Sequence, residues 1–311
     1  MDGVYTITCT LVDRAGNEYK EVILQNNAGA DYTEQRNGTD ELIQFTVNRN
    51  GSVFMLGEYT EEIIKTFYIG NVEKAVTIIE INADPLSSSK ITVNGKALSK
   101  DSDYTVSMSN DGGSWYKYTY SIKQAVFEKE NEYTVVVSSK DKANNDAFSD
   151  IKDASVKFVV DRTAPVVTVS GLTTNGRYQV DKQIVSLIPT DDGGKIKRLL
   201  VQTVDEDGNV LEVLLELSGD ELAAALEKGE LSFELGSGMY QNVQIVCEDW
   251  AGNVYGLAEG DIYTDVTVSS SAFMMFWANK PLRYGVIAGI VLLIAAVVAF
   301  IIFKRKKKAA K

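Results

Sequence analysis

The 311-residue chain is 45% hydrophobic and 24% charged, which is enough apolar material for two or three domains with buried cores. Its net charge is -12, and the residues before Lys304 include 25 basic and 43 acidic residues, so nucleic acid is not expected as a partner. The absence of histidine removes the commonest general base and metal ligand, and two cysteines, Cys9 and Cys247, exclude a disulfide scaffold.

Three stretches share a tyrosine-led strand that leads into a turn with the pattern Asp-x-Ala-Gly-Asn or Asp-x-Ala-Asn-Asn. They span residues 5–17, 133–145 and 240–253. In the first stretch apolar residues alternate with threonine, which is the period of a strand with one buried face. In the turn, the aspartate is expected to accept backbone hydrogen bonds, and Gly or Asn supplies a positive φ.

A second repeated element predicts the domain boundaries. Residues 45–49 (Phe-Thr-Val-Asn-Arg) match residues 158–162 (Phe-Val-Val-Asp-Arg), and an extended segment follows each of them. Each pair is interpreted as the last strand of one domain leading into the first strand of the next. The predicted units are the closing strands of an incomplete first domain at 1–49, complete domains at 50–161 and 162–268, and a juxtamembrane segment at 269–281.

An aromatic strand in the middle domain is the one candidate ligand surface. Tyr116, Tyr118 and Tyr120 are predicted to lie on one face of the strand, with Trp115 on the opposite face. Two interpretations stay open. The rings could stack on the faces of sugars, or they could form a core with their hydroxyl groups at the rim.

The last domain has the clearest strand pattern. The helix at 218–229 is predicted from the capping-box spacing of Ser218 and Glu221 and from the terminal Gly229. About seven strands and one crossover predict an Ig-like Greek-key β-sandwich, so the predicted fold class is mostly β, with tandem sandwiches followed by one transmembrane helix. The predicted strands are 166–170, 183–189, 196–204, 210–217, 231–235, 242–248 and 262–268.

Two acidic loops offer oxygen atoms of the kind that calcium prefers. One contains Asp191 and Asp192, and the other contains Asp205, Asp207 and Asn209. Neither reproduces an EF-hand loop, and Asp and Gly are also frequent in turns for conformational reasons. The interpretation as plain turns is therefore favoured. No catalytic residue, cofactor or metal is predicted, and the melting temperature is not expected to respond to calcium.

The run from Gly285 to Phe303 contains no charged or polar side chain. Nineteen helical residues span about 28 Å, which is close to the thickness of the hydrocarbon core. This predicts a transmembrane helix at 282–303 and a tail at 304–311. The tail is basic, so the positive-inside rule predicts a cytoplasmic C-terminus and an extracellular N-terminal region. Residues 1–5 are not a signal peptide, so the chain is expected to be the C-terminal part of a longer exported protein.

The tyrosine-led strand and its aspartate turn, together with Phe-Val-Val-Asp-Arg-Thr-Ala-Pro at 158–165, resemble the bacterial Ig-like repeats of Gram-positive surface proteins. The resemblance covers residues 1 to about 268 and implies an adhesin, a stalk or an accessory module of a surface enzyme. Two features depart from it. No Tyr-x-Cys corner is present, since Ile7 follows Tyr5 at that spacing, and no sortase signal precedes the apolar run, which favours retention in the membrane.

Two functional hypotheses follow. The first is a non-enzymatic, single-pass surface protein whose partners are the lipid bilayer and a host, matrix or glycan ligand. The second is the membrane-proximal accessory region of an exported enzyme that acts on glycans or peptides, with its catalytic domain upstream. The reading frame before Met1 discriminates between them, because a catalytic domain there favours the second hypothesis.

Overall fold

The computed structural model describes residues 1–7, 11–19, 35–36, 40–41, 43–110, 115–150, 154–229 and 231–309. The described chain is mostly β-structure and divides into two compact units, Met1–Arg162 and Thr163–Lys311. Each unit has a hydrophobic core of its own. Cys9 lies outside the described residues.

The first unit consists of short strands and one helix. The helix is α1 (Glu58–Thr66), and a 3-10 turn spans Gln124–Phe127. The described strands are β1 (Gly3–Ile7), β2 (Leu11–Val12), β3 (Glu18–Tyr19), β4 (Gln35–Arg36), β5 (Asp40–Glu41), β6 (Ile43–Val47), β7 (Val53–Leu56), β8 (Tyr68–Ile69), β9 (Val76–Asn82), β10 (Leu86–Val93), β11 (Lys96–Ala97), β12 (Tyr104–Asn110), β13 (Tyr116–Ile122), β14 (Asn131–Asp141), β15 (Asp146–Phe148) and β16 (Val156–Val160).

Two sheets of this unit contribute side chains to one core. One sheet has the order β12-β13-β9-β7, and the other has the order β11-β10-β14-β16-β8 with β15 paired to β14. Strands β9 and β14 alternate between buried and less buried residues, as expected when one face of each strand meets the core. The rings of Phe127, Tyr133 and Phe158 pack together with centroids 5.1 to 5.6 Å apart.

The second unit contains a β-region and two consecutive C-terminal helices. Its sheets have the orders β17-β19-β22 and β18-β25-β23-β20-β21, with β24 paired to β23. The strands are β17 (Val166–Ser170), β18 (Arg177–Tyr178), β19 (Gln183–Thr190), β20 (Ile196–Val204), β21 (Val210–Ser218), β22 (Leu231–Leu235), β23 (Gly238–Asp249), β24 (Val254–Tyr255) and β25 (Ile262–Val268), and the helices are α2 (Gly219–Lys228), α3 (Ala272–Ala278) and α4 (Lys280–Ala309).

All seven strands predicted for the last domain form, and the helix predicted at 218–229 forms as α2. The predicted capping box does not. Ser218 is the N-cap residue, but its side chain makes no capping hydrogen bond. Gly219 directly after it has a φ of +53°, so the chain enters the helix through a left-handed residue rather than in the geometry that a capping box needs.

A tyrosine begins the repeated strand in all three repeats, and in each case its hydroxyl group is anchored in the same way. Tyr5, Tyr133 and Tyr240 each donate a hydrogen bond to the carbonyl group four residues earlier, at 2.5, 2.7 and 2.9 Å. This local contact resembles the tyrosine corner of Ig-like sandwiches, which the lack of a Tyr-x-Cys pattern did not lead us to expect. The repeat tyrosines therefore have a structural role.

Helix α4 is the one helix among the described residues that is long and apolar enough to cross a membrane. The stretch that meets these criteria runs from Lys280 to Lys304, and none of its most apolar part is buried against the rest of the chain. A solvent-exposed helix with apolar side chains on every side is typical of a membrane span rather than of a core helix.

Candidate functional site

The tyrosines of β13 lie on the inward face of their sheet. Tyr120 is fully buried, so its ring belongs to the core and is not part of a ligand surface. Tyr116 and Tyr118 are half-buried. The Tyr118 hydroxyl accepts a hydrogen bond from the backbone N–H of Leu86 at 3.0 Å, and its ring lines an open cleft of about 380 Å³ beside the exposed Met108. Of the three tyrosines predicted to contact a ligand, Tyr118 is the one that lines this cleft.

A carboxylate is buried in the core beneath this strand. Glu80 is fully buried on β9, and its Oε2 atom accepts a hydrogen bond from the Tyr120 hydroxyl at 2.6 Å. The hydroxyl groups of Ser52 and Ser139 both donate to Oε1. Burial, followed by the Glu80 charge, raises the pKa of Tyr120, so this phenol keeps its proton. Three hydroxyl donors thus satisfy one buried carboxylate, which offsets the cost of burying it.

The buried polar network continues to the segment that precedes β7. The Asn48 side-chain amide donates to Asn82 Oδ1 at 2.7 Å and to Asp141 Oδ2 at 2.8 Å. It also lies 3.3 Å from Asp84 Oδ2. Burial acts to raise the pKa of Asp141, but hydrogen bonds from Asn145, Asn82 and Asn48 outweigh it, and the net pKa is lowered. The network therefore ties the segment after β6 to β9 and β14, which makes it a structural contact.

Four turns share one hydrogen-bond pattern. In each, an aspartate accepts the backbone N–H and the side-chain amide of the asparagine four residues later, and the residue before that asparagine has a φ between +73° and +91°. The predicted turn chemistry is confirmed. The Asp205 loop, interpreted from the sequence as a plain turn, has the same hydrogen bonds as the repeat turns, although it lacks their alanine. The pairs are Asp13–Asn17, Asp141–Asn145, Asp205–Asn209 and Asp249–Asn253, with distances of 2.8 to 3.0 Å.

The residues predicted as calcium candidates take part in these and similar turns. Both carboxylate oxygens of Asp205 accept hydrogen bonds within its turn, and the side-chain bond from Asn209 is the main reason that its pKa is lowered. Asp191 Oδ1 accepts from the backbone N–H groups of two glycines at 3.2 Å. Asp192 and Asp207 are exposed. The absence of a calcium response stays a prediction.

A second cleft lies in the last domain and was not found from the sequence. It has a volume of about 600 Å³, and Trp250 lines it from the turn after β23. Ala223 and Leu226 line it from α2, and Asp191 and Lys195 line it from the segment between β19 and β20. An aromatic side chain, aliphatic groups and charged groups thus converge on one concave surface, which is typical of ligand sites.

The segment between β25 and α4 is held to the last domain. Arg177 donates to the carbonyl groups of Asp265 and Ala278, the latter at 3.0 Å. The Asp265 carboxylate lies 3.0 Å from Arg177 and 3.3 Å from Lys280, the first residue of α4. Ala278 is buried. The end of α3 and the start of α4 are therefore held to the domain.

Aromatic residues cluster where α3 meets α4. The rings of Phe273 and Trp277 stack with centroids 6.2 Å apart, and the Arg283 guanidinium lies 4.9 Å from the ring centres of both Trp277 and Tyr284. Exposed aromatic rings with a nearby cation suit the interface between lipid headgroups and water. Trp277 and Tyr284 thus occupy the position that an aromatic belt requires.

Comparisons with known proteins give no family. No protein-family model matches the chain, and no curated protein matches it. The chain is 14% identical to fibronectin(III)-like modules of Clostridium thermocellum CbhA, covering 65% of this chain and 89% of that chain with a TM-score of 0.27.

Two further similar structures come from bacterial proteins described as an adhesin or an antigen. A structure from a 1.5-MDa bacterial ice-binding adhesin is 12% identical, with 86% of each chain covered and a TM-score of 0.28. The C-terminal domain of the Streptococcus pyogenes antigen I/II-family protein AspA is 10% identical, with 79% of this chain and 96% of that chain covered and a TM-score of 0.21. Likenesses at TM-scores this low transfer no function to this chain.

Proposed function

We infer that this protein is a non-enzymatic, single-pass membrane protein of the cell surface, in which tandem Ig-like Greek-key sandwiches act as a stalk or adhesin-type binding module. The observation that carries this proposal is the exposed apolar helix α4, which follows the last β-domain after only a short segment. The helix supplies the attachment to the lipid bilayer, and the domains supply reach and surface for a host, matrix or glycan ligand.

The Ig-like assignment is supported by local structure. Two sheets share a core in the first unit, and the repeat tyrosines Tyr133 and Tyr240 make corner hydrogen bonds in successive domains. The non-enzymatic assignment is supported by the absence of histidine in the sequence. It is also supported by the position of Glu80, whose carboxylate is enclosed by hydroxyl donors and out of reach of a substrate.

The orientation is supported by charge. Five consecutive basic residues, 304–308, follow the apolar run, whereas only Lys280 and Arg283 lie close to its other end. Retention of the more basic flank on the cytoplasmic side gives an extracellular N-terminal region and a cytoplasmic C-terminus. The acidic character of residues 1–303 suits exposure to water at high local density.

Protease treatment of intact cells tests this proposal. A C-terminal epitope tag is expected to remain on a short, membrane-embedded fragment after trypsin removes the residues before about position 270, because the bilayer shields α4 and the tail. Detergent-permeabilised cells serve as the control, in which the tag is also lost. Full protection of the N-terminal region in intact cells contradicts the assigned orientation.

A further inference from the structure

Trp250 stands at a turn position that the fold does not require to be aromatic. The corresponding second residues of the other three aspartate turns are Arg14, Lys142 and Glu206, all of them charged and exposed. Trp250 is 49% exposed at the same position. Because the same turn forms with a charged residue at this position in three other places, folding does not explain a half-exposed indole ring here.

Other groups hold this turn in place. Asp249 accepts two hydrogen bonds from Asn253 at 2.8 Å, and only the backbone N–H of Trp250 takes part, donating to the Lys195 carbonyl at 2.9 Å. The backbone bond is available to any residue except proline. The indole side chain is therefore free to serve another purpose, and it lines the 600 Å³ cleft of the last domain.

The cleft is amphipathic. Its aliphatic side consists of Ile196 on β20 and of Ala223 and Leu226 on α2, and its polar side includes the exposed carboxylate of Asp220. Asp191 also lines it, but its Oδ2 atom is buried and its Oδ1 atom accepts from the backbone N–H groups of Gly193 and Gly194. A ligand that fits this surface needs one apolar face and several hydroxyl groups.

The geometry points to a saccharide-binding site in this cleft, with the Trp250 ring stacking on the apolar face of a sugar and the exposed carboxylate of Asp220 accepting hydrogen bonds from its hydroxyl groups. A pyranose ring presents C–H groups on one face and hydroxyl groups around its edge. The C–H face can stack on an aromatic ring, and the hydroxyl groups can donate charge-assisted hydrogen bonds to a carboxylate.

Charge selects a neutral sugar. Lys197, the second lysine of the cleft, is paired with Glu248 at 2.6 Å, which leaves Lys195 against the two carboxylates. Residues 1–303 carry 25 basic and 43 acidic residues, so the chain as a whole repels sialylated or sulfated glycans. Neutral hexoses and N-acetylhexosamines meet no such repulsion.

The test uses the full chain in detergent micelles on an array of immobilised oligosaccharides, with neutral glycans of glucose, galactose, mannose, N-acetylglucosamine and N-acetylgalactosamine beside sialylated and sulfated ones. The wild type is expected to bind at least one neutral glycan. The Trp250→Arg variant carries arginine at this turn position, as the Asp13 turn does at Arg14. This substitution is expected to weaken glycan binding at least about tenfold. Trp115→Ala removes an exposed tryptophan from the other unit and is expected to leave binding unchanged.

Two helix variants separate the cleft from general effects on folding. Ala223 and Ala224 are adjacent exposed residues of α2, but only Ala223 lines the cleft. Ala223→Arg is expected to abolish binding by filling the cleft, whereas Ala224→Arg is expected to bind like the wild type. Arginine is a good helix former, so both variants are expected to melt at the wild-type temperature.

The inference is overturned if no neutral glycan binds, if only anionic glycans bind, or if Ala223→Arg and Ala224→Arg bind equally. The inference names a ligand class for the proposed surface protein, and its biological meaning rests on that proposed function. Binding by the purified chain does not depend on orientation in the membrane. A protein that binds neutral glycans but fails the protease experiment therefore refutes the surface assignment alone.

Discussion

Glu80 shows how a buried carboxylate is satisfied in the core of the first unit. Its carboxylate accepts hydrogen bonds from the hydroxyl groups of Tyr120, Ser52 and Ser139, of which Tyr120 and Ser139 are buried and Ser52 is half-buried. The alternating pattern of β9 indicates that this position faces inward, yet a sequence pattern does not reveal the three donors, which come from three other parts of the chain. Only the tertiary structure brings them together.

Glu80→Ala is expected to lower the free energy of unfolding of the first unit by roughly 3 kcal/mol, because it leaves hydroxyl donors unpaired inside the core. Glu132→Ala on β14 is the matched control, since Glu132 is exposed, and it is expected to cost less than about 0.5 kcal/mol. Hydrogen exchange of the β9 and β13 amides measures both changes. Equal effects of the two substitutions contradict the account of Glu80.

Cys247 is expected to be inert in the folded protein. Burial, followed by the negative charges of Asp191 and Asp249, raises the pKa of its thiol to about 12. The thiolate is the reactive form, so iodoacetamide should label Cys247 roughly a thousandfold more slowly than an exposed thiol. Labelling is measured in a Cys9→Ser background with and without urea. Fast labelling without urea refutes the burial of this residue.

At the scale of elements, the aspartate turn is the recurrent unit of this protein. The turn at Asp205 joins β20 to β21, and its carboxylate is bound by Asn209 and the turn backbone. Four such turns form in different sequence contexts, because Asp, a residue tolerant of positive φ, and Asn satisfy the turn from within. Local chemistry of this kind is what a sequence predicts best.

The Asp205 turn is expected to weaken in acid. Its folded pKa is lowered below the usual value of 3.8, so the stabilisation is fully present above 3.8 and is lost as the pH falls through the folded pKa. Hydrogen exchange of Val204 and Val210, corrected for intrinsic rates, should report this loss below about pH 4, relative to a reference at about pH 6. Asp205→Asn is expected to abolish the pH response at these amides.

Asp207→Asn is the control for this experiment, because Asp207 lies in the same turn with an exposed side chain. It is expected to retain the wild-type response to pH. If hydrogen exchange at Val204 and Val210 still depends on pH in Asp205→Asn, another carboxylate causes the dependence, and the role given to Asp205 is contradicted.

At the scale of the whole molecule, helix α4 and the β-domains place their apolar residues differently. Each β-domain hides its apolar residues in a core, whereas α4 exposes them along its full apolar length. Thirteen of the nineteen residues between Gly285 and Phe303 are Val, Ile, Leu or Phe. They favour insertion into a bilayer by about 4 to 8 kcal/mol.

The double substitution Leu292→Arg/Leu293→Arg is expected to release the protein from the membrane fraction. Two arginines near the centre of the helix cost about 5 to 7 kcal/mol, which is comparable to the whole insertion free energy. Leu211→Arg is the control, because Leu211 is an exposed leucine on β21. Carbonate extraction followed by immunoblotting measures both, and a double variant that resists extraction shows that other contacts hold the chain.

The sequence by itself determined the features that depend on local chemistry or on composition. These include the seven main strands of the last domain, the helix at 219–228, the aspartate turns and the apolar helix, because periodicity, turn residues and an uninterrupted apolar run act over short distances. The strands β18 and β24 were not predicted, because a strand of two residues is too short to show a periodic pattern. The capping role given to Ser218 was wrong, because the adjacent Gly219 adopts a left-handed conformation.

The tertiary structure decided which of the candidate residues can meet a ligand. Tyr120 has the same spacing as Tyr118, but the second sheet and Glu80 enclose it, so equal periodicity leads to different exposure. In the sequence, Trp250 is one more residue of a repeated turn. In the structure, α2 lies beside this turn, and the two together line a cleft. Burial and clefts arise from contacts between distant segments, and no local pattern encodes them.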